Sequence, residues 1–366
     1  MDFARTHRRI EQTAIARAQL FRSGTVHSSV ARAGNRTAQK RSIRPRMSFA
    51  YCRDALNESL HSREIMNRLE LIAAVFSPFG ANGELALDAV NRQIDRLVDD
   101  GVDGAFVCGT TGEGSSLDTS ERKRLASYWR EKSAGKLKVM VHVGHTSLRE
   151  AADLAAHAQS IGADGVAAVV PYFLKPSNAD DAVACLQHIA EAAPDTDLYY
   201  YHIPMLTNFN VPASEIVVRA QQRIPNFAGV KFTDDNLSEL ARVQDQLGAQ
   251  GKVYFGRDDL LLKALQIGVR GAVGMSYNFS GKYFHRMFDA YTRERDVEVE
   301  DMQADVSNLL KLAMQYGLTN VLKAISVLAG VDCGPSRMPL RTIRLLELDS
   351  ILKDRAMKAA VERLMS

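Results

Sequence analysis

The sequence of 366 residues lacks the features that mark several common classes of protein. No apolar run approaches the roughly 20 residues that a membrane-spanning helix requires. The four cysteines, Cys52, Cys108, Cys185 and Cys333, are widely spaced and form no CxxC or Cys/His pattern. These absences argue against a membrane protein, a disulfide framework and a zinc site, and they fit a reducing cytoplasm.

The sequence also lacks a strong excess of charge, since its formal net charge is +3. The charge is unevenly distributed: residues 1–53 hold 12 Lys and Arg against two acids, which leaves 34 basic and 41 acidic residues in the remainder. A mildly acidic body has no cluster of basic and aromatic residues of the kind that binds nucleic acid. We therefore expect no nucleic-acid partner and no membrane partner.

The first 66 residues are Arg-rich and acid-poor, and they lack the apolar core of a secretory signal. This composition is compatible with an organelle transit peptide, a basic tail, or a mis-assigned start for which Met47 or Met66 would be the first residue. We expect residues 1–66 to be an extension outside the folded domain.

From Leu69 onward, short β-rich apolar runs alternate with amphipathic segments such as AVNRQIDRLVDD, which is the pattern of repeated βα units around a parallel sheet. Eight such units predict a TIM (β/α)8 barrel over residues 67–296, close to the typical length of about 250 residues. A doubly wound open sheet is the alternative, because periodicity does not reveal closure. Residues 297–366 predict a C-terminal helical appendage.

Reactive groups in this fold gather where the strands end, at the carboxyl-terminal mouth of the barrel. The second predicted strand ends in GTTGEG, in which Thr110 and Thr111 place two hydroxyls beside the exposed N–H groups of a glycine-flanked turn. Such a turn can hold a carboxylate or phosphate. The alternative is a tight turn that simply requires the backbone freedom of glycine.

The fifth strand carries Tyr199, Tyr200 and Tyr201, followed by His202. Strand alternation sends Tyr199 and Tyr201 to one face and Tyr200 to the other. A phenol at the barrel mouth can relay protons, although tyrosine is also a common strand residue. We expect His202 to face away from Tyr201 and to serve in packing or hydrogen bonding.

The sixth strand places Lys231 in an otherwise apolar run. Burial of an amine without a counter-ion favours its neutral form, which is the form that attacks a ketone to make an imine. The alternative is a lysine that extends from the end of the strand to solvent.

These features occur within a set of ordered motifs that covers about three-quarters of the chain. The motifs are AAVFSPFGANGE, GTTGEGSSL, HVGHTSLREA, IGADGVA, PYFLKP, YYYHIPMLT, GVKFTD, FGRDD and GAVGMSYNFSG. In this order, they resemble the superfamily of class I aldolases that contains dihydrodipicolinate synthase and N-acetylneuraminate lyase, and within it the lyase branch. The resemblance implies a cytoplasmic homotetramer that needs no metal and no cofactor.

The resemblance assigns a role to each of the residues singled out above. Lys231 matches the lysine that forms the Schiff base, and Tyr201 matches the tyrosine that relays protons beside the imine. Thr110 and Thr111 match the hydroxyl pair that holds the carboxylate of pyruvate. The implied reaction is cleavage of N-acetylneuraminate into N-acetylmannosamine and pyruvate.

Two departures from the synthase pattern favour the lyase branch. Synthases that act on aspartate semialdehyde carry an arginine where this chain has Leu206, and they carry a second tyrosine where it has Phe173. An uncharged wall does not favour a second carboxylate on the substrate.

The positions that match the tail-binding site of the lyase are Thr233, Gly256, Asp258 and Asp259, together with Met275. Two of them depart from the lyase pattern, because Asp259 stands where glutamate is usual and Met275 where serine is usual. Loss of one hydrogen bond to a sugar hydroxyl weakens binding by about 0.5–1.5 kcal/mol.

These departures leave other functions open. The first is an aldolase or dehydratase that acts on another 2-keto-3-deoxy sugar acid, and the second is dihydrodipicolinate synthase itself. A barrel that binds a sugar acid or a partner protein without catalysis is the third.

Overall fold

The computed structural model describes residues 68–248 and 251–366, and the prediction for residues 1–66 lies outside the described residues. Within them, eight strands pair in parallel in the order of the chain and close into a barrel. The strands are Glu70–Ala74 (β1), Gly104–Val107 (β2), Lys138–His142 (β3), Gly165–Ala168 (β4), Leu198–His202 (β5), Phe227–Phe232 (β6), Lys252–Phe255 (β7) and Gly271–Gly274 (β8). Closure is made by β1 and β8, in which Glu70 is the register partner of Gly271. The predicted barrel is confirmed, and the doubly wound alternative is excluded.

Helices follow the strands and surround the barrel. Those of the repeating units are Ala89–Asp99 (α1), Thr119–Ser133 (α2), Leu148–Ser160 (α3), Ala179–Glu191 (α4), Pro204–Thr207 (α5), Ala213–Arg223 (α6), Leu237–Leu247 (α7), Leu261–Ile267 (α8) and Tyr277–Thr292 (α9). Several begin at a side-chain cap. Asp118, for example, accepts the N–H of Glu121 while the Glu121 side chain accepts the N–H of Asp118, which completes a capping box at the start of α2.

Strand alternation divides the apolar residues between two cores. The inner core fills the barrel and includes Phe106, Tyr199 and Tyr201. The outer core lies between strands and helices, and Tyr200 belongs to it. The predicted division of the three tyrosines is therefore confirmed, and it follows from the two-residue period of a strand.

The C-terminal helices pack on the barrel near its eighth unit. They are Asp296–Met314 (α10), Leu318–Ile325 (α11), Leu345–Ile351 (α12) and Arg355–Met365 (α13). The Gln303 side chain on α10 accepts the Leu262 N–H and donates to the Asp258 carbonyl, both near 3 Å. The appendage thereby supports the loop that follows β7.

Among the residues that the structure describes, no helix has the length and apolar character needed to cross a membrane.

Candidate active site

Lys231 lies inside the barrel near the end of β6 and is only 4% exposed. Its Nζ donates a hydrogen bond of 3.0 Å to Thr233 Oγ1 and stands 3.8 Å from the centre of the Tyr201 ring. In the described part of the chain, no ion pair joins this nitrogen to a carboxylate. The alternative of a lysine that extends to solvent does not agree with this burial.

Tyr201 is the register partner of Lys231 on the neighbouring strand, which explains why the two side chains meet. Its ring packs edge-on against Phe106 and His142, with centroid distances of 5.7 and 5.5 Å. Its hydroxyl lies 3.3 Å from Thr110 Oγ1. The Lys231 amine thus contacts the Tyr201 ring, and the Tyr201 hydroxyl in turn contacts the Thr110 hydroxyl.

The turn after β2 is tightly folded, and at Gly114 it leaves no room for any side chain. A Cβ on Gly114 would stand 1.9 Å from the carbonyl oxygen of Cys108. Cys108 and Glu113 adopt positive φ angles of 60° and 52°, which L-residues seldom adopt. Within this turn Thr111 is buried and Thr110 is exposed. The interpretation as a turn that requires glycine is supported by this geometry, while the carboxylate-binding role of Thr110 and Thr111 stays a prediction.

Gly256 follows β7 and lies against Lys231 and Thr233. A Cβ at this position would stand 2.0 Å from Thr233 Oγ1 and 3.3 Å from Lys231 Nζ. The absence of a side chain at Gly256 therefore permits the hydrogen bond between Lys231 and Thr233.

We expect Gly256→Ala to lower the rate of any reaction that uses the Lys231 amine by about 100-fold or more, because the added methyl group forces Thr233 and this amine apart. Steady-state kinetics with a melting curve would test this. Gly80→Ala is the control, since its Cβ would meet the movable end of the Asn82 side chain at 2.8 Å. A Gly256→Ala enzyme with unaltered kinetics would contradict this account of the glycine.

Asp258 is buried beside β8, and its carboxylate is already engaged. Its Oδ2 accepts the Ser276 N–H at 2.9 Å and the Ser276 hydroxyl at 2.5 Å. Burial raises the pKa of Asp258 above its ordinary value, while the bonds from Ser276 oppose this shift. Because β8 ends at Gly274, strand alternation no longer governs Met275 and Ser276.

Asp259 is held by a salt bridge that no sequence motif indicates. Arg257 donates from Nε and Nη2 to the two carboxylate oxygens, at 2.9 and 2.7 Å. The same arginine lies 3.9 Å from Asp235. Met275 is the first residue after β8. It is partly buried and packs against the outer core.

Arg122 and His142 are two further residues of the site that no sequence pattern identifies. Arg122 is buried and donates to the carbonyl oxygens of Gly144 and His142. His142 Nδ1 lies 3.1 Å from the carbonyl oxygen of Cys108. Burial and the nearby Arg122 charge lower the pKa of His142 well below its ordinary value, so its ring stays neutral. No local motif identifies this pair, because the two residues lie 20 positions apart and meet only when the helix α2 packs on the strand β3.

Beside Tyr201 opens a cavity of about 280 Å³. Among its lining residues are Thr110, Arg122, His142, Tyr172, Tyr201 and Leu206. By contrast, His202 is directed to the outer core, where its Nδ1 lies 3.3 Å from the Tyr200 hydroxyl. The expectation that His202 serves in packing and hydrogen bonding is supported by this position.

A barrel with a buried amine beside a phenol at its carboxyl-terminal mouth has the groups that imine chemistry with a ketone requires. The family model described as the dihydrodipicolinate synthetase family matches residues 67–355, and the chain belongs to this family. The resemblance predicted from the motifs is thereby confirmed.

The relatives agree with the lyase branch. The human N-acetylneuraminate lyase is 38% identical over 276 residues, which are 74% of this chain and 86% of the relative. The lyase of Xenopus tropicalis is 41% identical over 274 residues, 74% of this chain and 90% of the relative. The solved structure of the Proteus mirabilis N-acetylneuraminate lyase superposes with a TM-score of 0.77 at 30% identity, covering 80% of this chain and 98% of that chain.

Proposed function

We propose that this protein is a Schiff-base aldolase that cleaves N-acetylneuraminate into N-acetylmannosamine and pyruvate. The observation that carries the proposal is the buried contact between Lys231 Nζ and the Tyr201 ring, 3.8 Å apart at the barrel mouth. The similarity to N-acetylneuraminate lyases over most of their length supports the choice of substrate. The protein is a carbon–carbon lyase.

In the proposed reaction, the Lys231 amine attacks C2 of the open-chain sugar acid, and loss of water gives a protonated imine. Tyr201 gives its phenolic proton to the water that leaves, and the resulting phenolate accepts the proton of the C4 hydroxyl as the C3–C4 bond breaks, while the bond electrons move to the imine nitrogen. N-acetylmannosamine leaves. The Tyr201 phenol then protonates the enamine at C3, and water hydrolyses the resulting imine, which releases pyruvate, restores the free amine and returns a proton to Tyr201.

The remaining site residues bind the two ends of the substrate. Thr110 and Thr111 hold the carboxylate through the turn after β2. The resemblance assigns the polyhydroxyl tail to Thr233, Gly256, Asp258, Asp259 and Met275, of which Met275 also packs against the outer core. Because Ser276 already occupies one oxygen of Asp258, the tail hydroxyls bind the other oxygen.

One specific observation favours a second substrate. Arg257 occupies both oxygens of Asp259 in a bidentate pair, and Met275 supplies no hydroxyl. Both differences change the side-chain groups that can bind the hydroxyls of the sugar-acid tail. A different 2-keto-3-deoxy sugar acid is therefore the second candidate, with the same imine chemistry at Lys231.

A coupled assay for released pyruvate, run on N-acetylneuraminate and on a panel of 2-keto-3-deoxy sugar acids, tests both candidates. We expect the largest kcat/KM with N-acetylneuraminate. A larger value with another sugar acid would select the second candidate, and no pyruvate from any of them would remove the aldolase function.

Synthase activity toward aspartate semialdehyde is expected to be absent, because Leu206 places an uncharged and 57% exposed side chain at the cavity.

We also propose that the protein is a cytoplasmic homotetramer. Phe173 and Leu174 in the loop after β4 and Met205 in α5, which follows β5, expose most of their apolar surface, which fits an association surface. Sedimentation equilibrium gives the mass of the assembly, and a monomer at micromolar concentration would reject the proposal.

A further inference from the structure

Lys323 is a buried cation far from Lys231 in the sequence. It lies on α11, and its side chain is 2% exposed. Its ammonium donates three hydrogen bonds of 2.8 Å, to Glu113 Oε1 and to the carbonyl oxygens of Ser77 and Pro335. All three N–H groups of the ammonium therefore have acceptors, and each acceptor belongs to a different segment of the chain.

Glu113 is the partner, and it belongs to the turn that carries Thr110 and Thr111. Its carboxylate is fully buried. One oxygen accepts the ammonium of Lys323, and the other accepts the backbone N–H of Arg337 at 2.8 Å. Both bonds come from the C-terminal part of the chain, so the appendage holds this turn directly.

A second contact holds the turn from the side of β1. The Ser77 hydroxyl donates a bond of 2.5 Å to the Gly112 carbonyl oxygen, while the Ser77 carbonyl accepts Lys323. Lys323 thus joins Glu113 to the segment that holds Gly112, so both residues that follow Thr111 are fixed. Its ammonium also lies 4.6 Å from the centre of the Phe79 ring, in the same loop as Ser77.

Arg337 reinforces the connection at the far end of the turn. Its guanidinium forms a bidentate pair with Glu121, and it donates to the Ser116 carbonyl oxygen. The turn is therefore fixed at Glu113 and again at Ser116. Such a set of buried and partly buried charges is stable only while every member is paired, because an isolated buried charge is strongly disfavoured.

We propose that Lys323 is a positioning residue, whose ion pair with Glu113 holds Thr110 and Thr111 in the geometry that binds the carboxylate of the 2-oxo acid. The proposal rests on the proposed function, since that function assigns the carboxylate to this turn. The positive φ at Glu113 makes the pair necessary, because a residue in this conformation keeps it only when its surroundings impose it.

A merely structural ion pair and a positioning ion pair differ in what they change. Loss of a structural pair lowers the melting temperature and leaves the folded enzyme with its normal affinity for pyruvate. Loss of a positioning pair also moves the hydroxyls of Thr110 and Thr111, so that the folded enzyme needs more pyruvate to form the imine.

The test uses the full-length chain with Lys323→Met, Glu113→Gln and the double variant. Lys358→Met is the matched control, because Lys358 is another lysine of the C-terminal helices and is 62% exposed. Pyruvate is added over a range of concentrations, the imine is reduced with borohydride, and the adduct on Lys231 is measured by mass spectrometry. Hydrogen exchange of residues 109–116 reports the mobility of the turn, and a melting curve reports the folded fraction.

We expect Lys323→Met to raise the pyruvate concentration for half-maximal trapping by about tenfold or more, as loss of charge-assisted bonds would predict. Amides of residues 109–116 should exchange faster, and Lys358→Met should match the wild type. The double variant should exchange more slowly than Lys323→Met, because it no longer leaves an unpaired carboxylate.

Two results would overturn the proposal, and they have different meanings. If the wild type forms the adduct and Lys323→Met lowers only the melting temperature, the pair is structural and the proposed function stands. If the wild type forms no adduct at Lys231, both this proposal and the proposed function fail.

Discussion

Replacement of Lys231 by methionine is expected to abolish pyruvate release, with a loss on the order of 10⁴-fold or more, because no other group in the described site can form the imine. Methionine is close to lysine in length, so the inner core beside Tyr201 and Phe106 stays filled. The variant should therefore melt near the wild-type temperature. The loss would then report chemistry and not folding.

Borohydride trapping with pyruvate gives the direct measurement. The wild type should acquire a reduced pyruvate adduct on Lys231, and Lys231→Met should acquire none. Lys263→Met is the control, since Lys263 is an exposed lysine on α8. An adduct on another lysine, or undiminished pyruvate release by Lys231→Met, would show that the imine lies elsewhere.

Replacement of Tyr201 by phenylalanine is expected to lower kcat by roughly 10²–10⁴-fold, the usual contribution of a positioned proton donor or acceptor. The ring remains, so its contacts with Lys231, Phe106 and His142 are retained. Only the hydroxyl that lies 3.3 Å from Thr110 is lost. KM for the sugar acid should change much less than kcat.

Tyr199→Phe is a matched control for this experiment. Tyr199 lies two residues earlier on the same inner face of β5, and its ring packs edge-on against Tyr254 at 5.4 Å. The Tyr199→Phe variant also loses one phenol oxygen inside the barrel, but at a position away from the Lys231 amine. Equal losses in the two variants would mean that the barrel needs both phenol hydroxyls for its structure, and the relay role of Tyr201 would have to be abandoned.

Much of this architecture could be predicted from the sequence because it depends on local patterns. The alternation of apolar strands and amphipathic helices predicted eight units, and the two-residue period of β5 placed Tyr199 and Tyr201 inside. The lysine of β6 stood out because a charged residue is rare in a buried strand. In each case, the signal lies within a few consecutive residues.

The contacts that sequence patterns missed are long-range or depend on where a strand ends. Glu113 and Lys323 are 210 residues apart, and no periodicity connects them. The alternation of a regular strand does not decide the direction of Ser276, because β8 ends two residues earlier, and the Ser276 side chain bonds to Asp258. Arg257 and Asp259 are neighbours in sequence, yet their pairing depends on the turn after β7.

The contact between the amine and the phenol comes from two adjacent strands in fixed register, and none of the connecting loops contributes to it. Sheet geometry therefore sets the distance between the reactive pair. Insertions or substitutions in the surrounding loops can change which molecule is accepted while the bond-breaking step is preserved. Redesign of the enzyme for new sugars should accordingly begin with the loop after β4 and the part of the loop after β7 that lies beyond Gly256, and leave β5 and β6 untouched.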